Sequence, residues 1–184
     1  KGKINSVIKL RESAIVLSAL EYDELTGLYI RQAFFHHAKT LMRVKKDQKF
    51  HVVVADVKNF KWINSTYGEK TGDQVLAYLG EAYKSQVHSG MVARYGGDQF
   101  VAIVYGDLNF GKDKVEAAIR KIAEQAPISN LSVNYGIYEN VDKTLPLTLI
   151  CDRAFLAMKS IQNDYEHSFA FYDEEMGGNI SVTG

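Results

Sequence analysis

Two glycines and an acid, Gly96-Gly97-Asp98, separate two short runs of apolar and β-branched residues, Met91-Val92-Ala93 and Phe100-Val101-Ala102-Ile103-Val104-Tyr105. This arrangement predicts a tight antiparallel hairpin, because glycine supplies the positive φ that a short turn demands. A glycine pair also lets a phosphate approach the backbone without meeting a Cβ, and Asp98 at the tip is placed to hold a hard cation. On turn chemistry alone, an ordinary turn aspartate is the better explanation of Asp98. The remainder of the chain has to decide.

Its 184 residues are enough for one domain with a terminal extension, and 46% apolar with 24% charged residues is a globular composition rather than a disordered or membrane one. Formal net charge is zero, which argues against the broad basic footprint of a nucleic-acid partner. The lone Cys151 excludes an internal disulfide and a cysteine zinc cluster, and it fits a reducing, cytoplasmic setting. No apolar run approaches membrane-spanning length. The sequence begins at Lys1 rather than Met, which is compatible with an excised piece of a larger protein and leaves room for a targeting or membrane segment outside it.

Val7, Leu10, Ala14 and Leu17 stand at heptad-like spacing, which leaves open a docked helix or a connector from an upstream domain. Helices are expected over 31–45, from Gly72-Asp73 to about Val87, over 115–123 and over 147–161. Strands are expected at Phe50–Ala55 with Asp56 at the end, in the hairpin, over 131–138 and over 167–172. Alternation of this kind predicts a mixed, largely antiparallel sheet flanked by helices, in which Asp56 and Asp98 meet if their strands pair.

An ordered series of motifs then resembles the GGDEF domain, the diguanylate cyclase module of bacterial cyclic-di-GMP signalling. Asp23-Glu24-Leu25-Thr26-Gly27-Leu28, with Arg31 and Phe34, is similar to that family's opening. Asp56-Val57-Lys58-Asn59-Phe60-Lys61 with Asn64, and Tyr67-Gly68 with Gly72-Asp73, follow in family order. Arg94 to Phe100 occupies the signature, Asn134-Tyr135-Gly136-Ile137 the next strand, and Asp152, Ala154 and Lys159 the last long helix. The resemblance spans roughly residues 21 to 173. It implies an α+β fold with a ferredoxin-like, nucleotidyl cyclase palm-type core. Residues 1–20 would form a connector helix, 21–176 the GGDEF domain and 177–184 a tail.

The resemblance also implies a chemistry and its residues. Two GTP-loaded protomers face each other, and each ribose 3′-hydroxyl attacks the other α-phosphate with loss of pyrophosphate. Magnesium or manganese would be held by Asp56, the Val57 carbonyl and Asp98, with Asp98 doubling as a catalytic base. Phe60, Lys61, Gly96, Gly97 and Lys159 would contact the nucleotide, and Asn64 with Asp73 would read the guanine edge. Asp23 and Arg31 would make structural contacts. Simpler roles stand beside these: Asp56 as a helix N-cap, Asp73 as a helix N-terminal carboxylate, and Lys61 as a solvated surface lysine.

This chain departs from the family pattern at points that bear on activity. Gln99 stands at the catalytic glutamate, so the signature reads GGDQF, and Lys58 stands where a second aspartate is usual. Gln162-Asn163 replaces the phosphate-clamping Gly-Arg, Leu156 a tyrosine, Ser65 an aspartate and Ile30 an asparagine. The arginine and aspartate of the family's inhibitory cyclic-di-GMP site are Val87 and Gly90 here, so no such site is expected. The expectation is therefore a regulatory, GTP-binding domain with impaired cyclase activity, working beside an upstream sensor and a downstream EAL domain. The Phe171-Tyr172-Asp173-Glu174-Glu175-Met176 segment resembles the approach to an EAL domain. An active homodimeric cyclase and a ligand-free dimerisation module are the alternatives.

Overall fold

The computed structural model describes residues 2–177. The tail expected over 177–184 lies outside them apart from Gly177, as do the Ala14 and Leu17 side chains of the heptad-like stretch. The elements in chain order are α1 (Gly2–Glu21), β1 (Tyr29–Ile30), α2 (Arg31–Val44), β2 (Phe50–Val57), α3 (Phe60–Tyr67) and α4 (Glu69–Gln86). They continue with β3 (Gly90–Gly96), β4 (Gln99–Tyr105), α5 (Lys112–Glu124), β5 (Val133–Tyr138), α6 (Leu147–Ser160) and β6 (Phe169–Phe171). One six-stranded sheet runs β1-β3-β4-β2-β5-β6. Its inner pairings are antiparallel, and the two outermost, β1 with β3 and β5 with β6, are parallel. The expected mixed, mostly antiparallel sheet is what forms.

β2 sits at the centre because almost all of it is apolar and both faces can be covered. Phe50, Val52 and Val54 pack with α2 and α6 residues such as Phe34, Ile150 and Met158. Ala55 and Val57 point the other way, into a layer with Leu76 and Leu79 of α4 and Ile122 of α5. Gly136 on β5 has α6 directly on top of it: a Cβ there would collide with the Ala154 carbonyl and lie 2.7 Å from the Met158 amide. Only a residue with no side chain allows that approach.

Three sequence expectations change. Asp56 is not an N-cap: β2 continues through Val57, and the residue before α3 is Asn59, with φ 54 and no side-chain cap. Asp73 is not at a helix start, because α4 begins at Glu69 directly after Gly68, whose φ of 92 separates it from α3. A short strand at Tyr29–Ile30, pairing with Ala93 and Arg94, adds an edge that the periodicity did not signal.

Candidate active site

The end of the sheet where β2 stops and the β3–β4 hairpin turns brings the predicted residues together. Gly96 pairs with Gln99, leaving Gly97 and Asp98 as the turn, and Gly97 takes the positive φ of 53 expected of it. β2 and β4 pair with Asp56 opposite Gln99, and the Val57 amide donates to the Asp98 carbonyl at 3.3 Å. The hairpin tip is thereby tied to the end of β2. Two carboxylates that are 42 positions apart in sequence become neighbours.

The electrostatics follow from that placement. Burial, a hydrogen bond to the Asp98 carboxyl and the Asp98 charge push Asp56 up to about 7, against a Gln99 hydrogen bond that lowers it. Two neighbouring acids resist carrying both charges, and a divalent cation between them would relieve the conflict. The nearby basic side chains are engaged elsewhere. Arg94 binds Asp23 at 3.1 Å and the Gly97 carbonyl at 2.9 Å, and Lys58 donates to the Asp164 carbonyl at 3.3 Å. The acid pair therefore suits a hard cation, although Gln99 supplies a neutral amide where a third carboxylate would add affinity.

A second group forms where α3 meets α4. Phe60 and Asn64 are one helical turn apart on α3 and face Gly72 of α4. A Cβ at Gly72 would overlap Asn64 Oδ1 and come within 3.2 Å of the Phe60 ring, so the glycine makes room for the amide, and Asp73, the next residue of α4, is exposed. An amide and a carboxylate are groups that can answer the donors and acceptor of a guanine edge. Lys61 is exposed on the same helix.

Lys159 reaches the same end of the molecule. α6 runs antiparallel to β5, with Arg153 donating to the Tyr138 hydroxyl at 2.9 Å near one end and Met158 over Gly136 further on. Its last turn, carrying exposed Lys159, therefore ends towards the Asp56 end of the sheet, followed by exposed Gln162 and Asn163.

The expectation for Asp23 and Arg31 was structural contact, and contacts are what the fold gives them. Asp23 accepts from the Thr26 amide and hydroxyl as well as from Arg94, and the Arg31 guanidinium stacks 4.2 Å from the centre of the Tyr95 ring. Asn134, a motif position in the sequence, joins this end of the sheet: it lies opposite Asp56 on β5 and is 4% exposed. A polar residue inside the otherwise apolar run Val133–Tyr138 was the available signal.

A cavity of about 500 Å³ opens on the opposite face, between α4, α5 and the sheet, over a Tyr83–Tyr135 hydroxyl pair at 2.9 Å. Its walls, among them Val92, Ala102, Phe110 and Ile119, are mostly apolar, with His88, Asp107, Lys114 and Lys121 also in the lining, and they contain none of the predicted site residues. The predicted site residues gather at the strand ends instead.

Comparisons with known proteins converge on one family. The family model described as "Diguanylate cyclase, GGDEF domain" matches residues 20–165. Diguanylate cyclase DgcP of Escherichia coli (strain K12) is 32% identical over 122 residues, 62% of this chain and 36% of that protein. Signaling protein YkoW of Bacillus subtilis is 27% identical over 174 residues, 88% of this chain and 21% of that protein. The chain thus spans only about a fifth to a half of the curated relatives it resembles. Among solved structures, the coiled coil and GGDEF domain of DgcB from Caulobacter crescentus, crystallised with c-di-GMP, superposes with a TM-score of 0.75. It shares 22% identity, with 92% of this chain and 95% of that one covered. The GGDEF region of PA1120 from Pseudomonas aeruginosa gives a TM-score of 0.72, also at 22% identity, over 88% of this chain and 99% of that one. With the hairpin signature, the Asp56 strand end and a family match covering most of the sequence, the chain belongs to the GGDEF family of diguanylate cyclase domains in cyclic-di-GMP signalling.

Proposed function

We propose that this domain binds GTP with a divalent cation and regulates neighbouring domains, with cyclase activity impaired. The observation that carries the reading is that the residues matched to guanine recognition are retained while a catalytic charge is lost. Asn64 is seated on Gly72 beside Asp73, while the position opposite Asp56 on β4 is Gln99 rather than an acid. In this reading Asp56, Asp98 and the Val57 carbonyl hold magnesium or manganese. Phe60, Lys61, Gly96, Gly97 and Lys159 surround the triphosphate. The cation would supply charge neutralisation at the phosphates and a lower pKa for the attacking hydroxyl. The chain itself orients the base through Asn64 and Asp73, and offers the phosphates a hairpin tip free of Cβ atoms.

The missing charges act on rate more than on binding. A side chain that stabilises charge developing in the transition state contributes to turnover, whereas guanine recognition is a ground-state contact. Replacing the glutamate by Gln99 and the clamping arginine by Asn163 thus removes turnover first. Regulation then requires only that GTP bind two conformations of the larger protein with different affinity.

Residues 1–20 act as the connector helix to an upstream sensor, residues 21–176 as the GGDEF domain, and an EAL domain downstream is the natural recipient of the signal. Ile4, Val7, Ile8 and Leu10 of α1 are exposed, which suits pairing with a second copy along that helix, with facing active sites as the other dimer contact. Inhibition by cyclic-di-GMP at Val87 and Gly90 is absent in this account. Gly90 has φ 142, and a Cβ there would strike the Ile103 carbonyl, so an acid at that position would need a different backbone.

Incubating the dimerised protein with GTP and magnesium or manganese, then quantifying bound GTP and cyclic-di-GMP, tests the reading. Bound GTP with little product supports it. Rapid product formation makes this an active cyclase, and no GTP binding makes it a ligand-free dimerisation module.

A further inference from the structure

Asp56 is flanked on both sides by carboxamides, Gln99 on β4 and Asn134 on β5, each directly opposite it in the sheet register. Directly opposed residues leave the sheet on the same face, with Cβ atoms roughly 5 Å apart. The two amides are not equivalent. Gln99 is only partly buried, so water can reach its amide. Asn134 has no partner: its Oδ1 is the only buried side-chain polar atom without a hydrogen bond among the described residues. With α6 packed on Gly136 two residues along the same face, Asn134 is also shut off from bulk water, at 4% exposure.

A buried amide oxygen left unpaired is costly, and such atoms persist where an ion or ligand completes them. The neighbours of Asn134 suit a cation, because Asp56 lies directly opposite it and Asp98 sits on the hairpin tip tied to the end of β2. Amide oxygens are ordinary ligands for hard cations, and neutral ones lower the charge of the site without lowering its oxygen count.

We propose that Asn134 is a cation-binding residue, its Oδ1 joining Asp56 and Asp98 in a low-charge site for a hard divalent cation. The inference rests on the GTP-and-cation reading of the same site. It adds a dependence specific to this chain: with one amide oxygen and two acids, cation binding leans on the phosphate oxygens of a bound nucleotide.

Manganese binding by electron paramagnetic resonance, with and without GTP, and thermal melting in metal-free buffer test this. Asn134→Ala should weaken manganese binding about tenfold, as expected for loss of one charge-assisted contact, while the metal-free melting temperature is not lowered. Asn134→Asp should do the opposite, tightening manganese binding while lowering metal-free stability, since it brings a third acid to the pair. This second variant keeps the test decisive if Asn134→Ala does not fold. Asp56→Ala is the reference for the site as a whole. If Asp56→Ala loses manganese while Asn134→Ala keeps wild-type affinity, or if Asn134→Asp binds no more tightly than wild type, the role of Asn134 is overturned and the wider reading stands. If wild type binds no manganese with or without GTP, both are overturned.

Discussion

The Arg94 guanidinium reaches the two Asp23 carboxylate oxygens at 3.1 and 3.3 Å while its Nε donates to the Gly97 carbonyl at 2.9 Å. One side chain thus ties the opening motif of the domain to the tip of the signature hairpin. Asp23 is in turn held by the Thr26 amide and hydroxyl at 2.9 and 2.7 Å. The position of Asp98 therefore depends on a residue with no part in chemistry.

That network makes stability depend on pH in a set direction. Burial raises the Asp23 carboxyl, but the Thr26 hydrogen bonds and the Arg94 charge outweigh it and hold it below its ordinary 3.8. A depressed carboxylate stabilises the fold above its unfolded pKa and loses that contribution as pH falls through the folded one. Asp23→Asn should cost about 1–2 kcal/mol at pH 7. Urea melts across pH should show the gap between variant and wild type closing in the acid range below 3.8. A gap that persists unchanged into strong acid contradicts the assignment.

Gly136→Ala tests the packing of α6. The new methyl would strike the Ala154 carbonyl, a backbone atom that cannot rotate away. A loss of about 3 kcal/mol is expected, at the upper end for overpacking, with the hairpin side of the sheet less affected in hydrogen exchange than α6. A variant as stable as wild type would mean that α6 does not sit on β5 as described.

Gly72→Ala separates binding from stability. Its Cβ overlaps Asn64 Oδ1, the flexible end of a side chain, so the fold tolerates it by moving the amide. GTP affinity should fall about tenfold, the worth of one good hydrogen bond, while the melting temperature changes little. Unchanged GTP affinity in calorimetry would remove Asn64 from the guanine site.

Gln99→Glu restores a negative charge next to Asp56 with almost no change of shape. Divalent-cation affinity should rise about tenfold, and any cyclase activity should rise with it. If the phosphate side limits turnover, product appears only when Asn163→Arg is added, and the pair exceeds the sum of the single changes because both act on one nucleotide. Cation titrations and product assays on the single and double variants check this, and a Gln99→Glu protein with wild-type cation affinity would contradict it.

Much of this was legible in the sequence where a residue's role is local. Gly-Gly-Asp between β-branched runs specified the hairpin, and the unbroken Phe50–Val54 run specified a strand buried on both faces. What the sequence hid was set at long range or by a break of one residue. Tyr29–Ile30 is too short to show a period, and its strand character comes from β3. The true start of α4 is hidden because Gly68 alone ends one helix and begins the next, leaving Asp73 in the second turn. The Asp23–Arg94 pair crosses 71 positions, which no local pattern encodes. Asn134 matched a motif slot, yet its importance appears only when β5 is laid beside Asp56.

The most direct test is a calorimetric titration of the dimerised protein with GTP and with ATP in magnesium, followed by chromatography of the same samples. A site built around the Asn64 amide and the Asp73 carboxylate leaves Asp73 unpaired against adenine, which offers an acceptor at N1 and has no N2 amino group. Discrimination of at least about a hundredfold is expected for a pocket that hydrogen-bonds its substrate. The account predicts tight GTP binding, weak ATP binding and bound GTP recovered largely uncyclised. Equal affinity for the two nucleotides, or rapid conversion of GTP to cyclic-di-GMP, would contradict it.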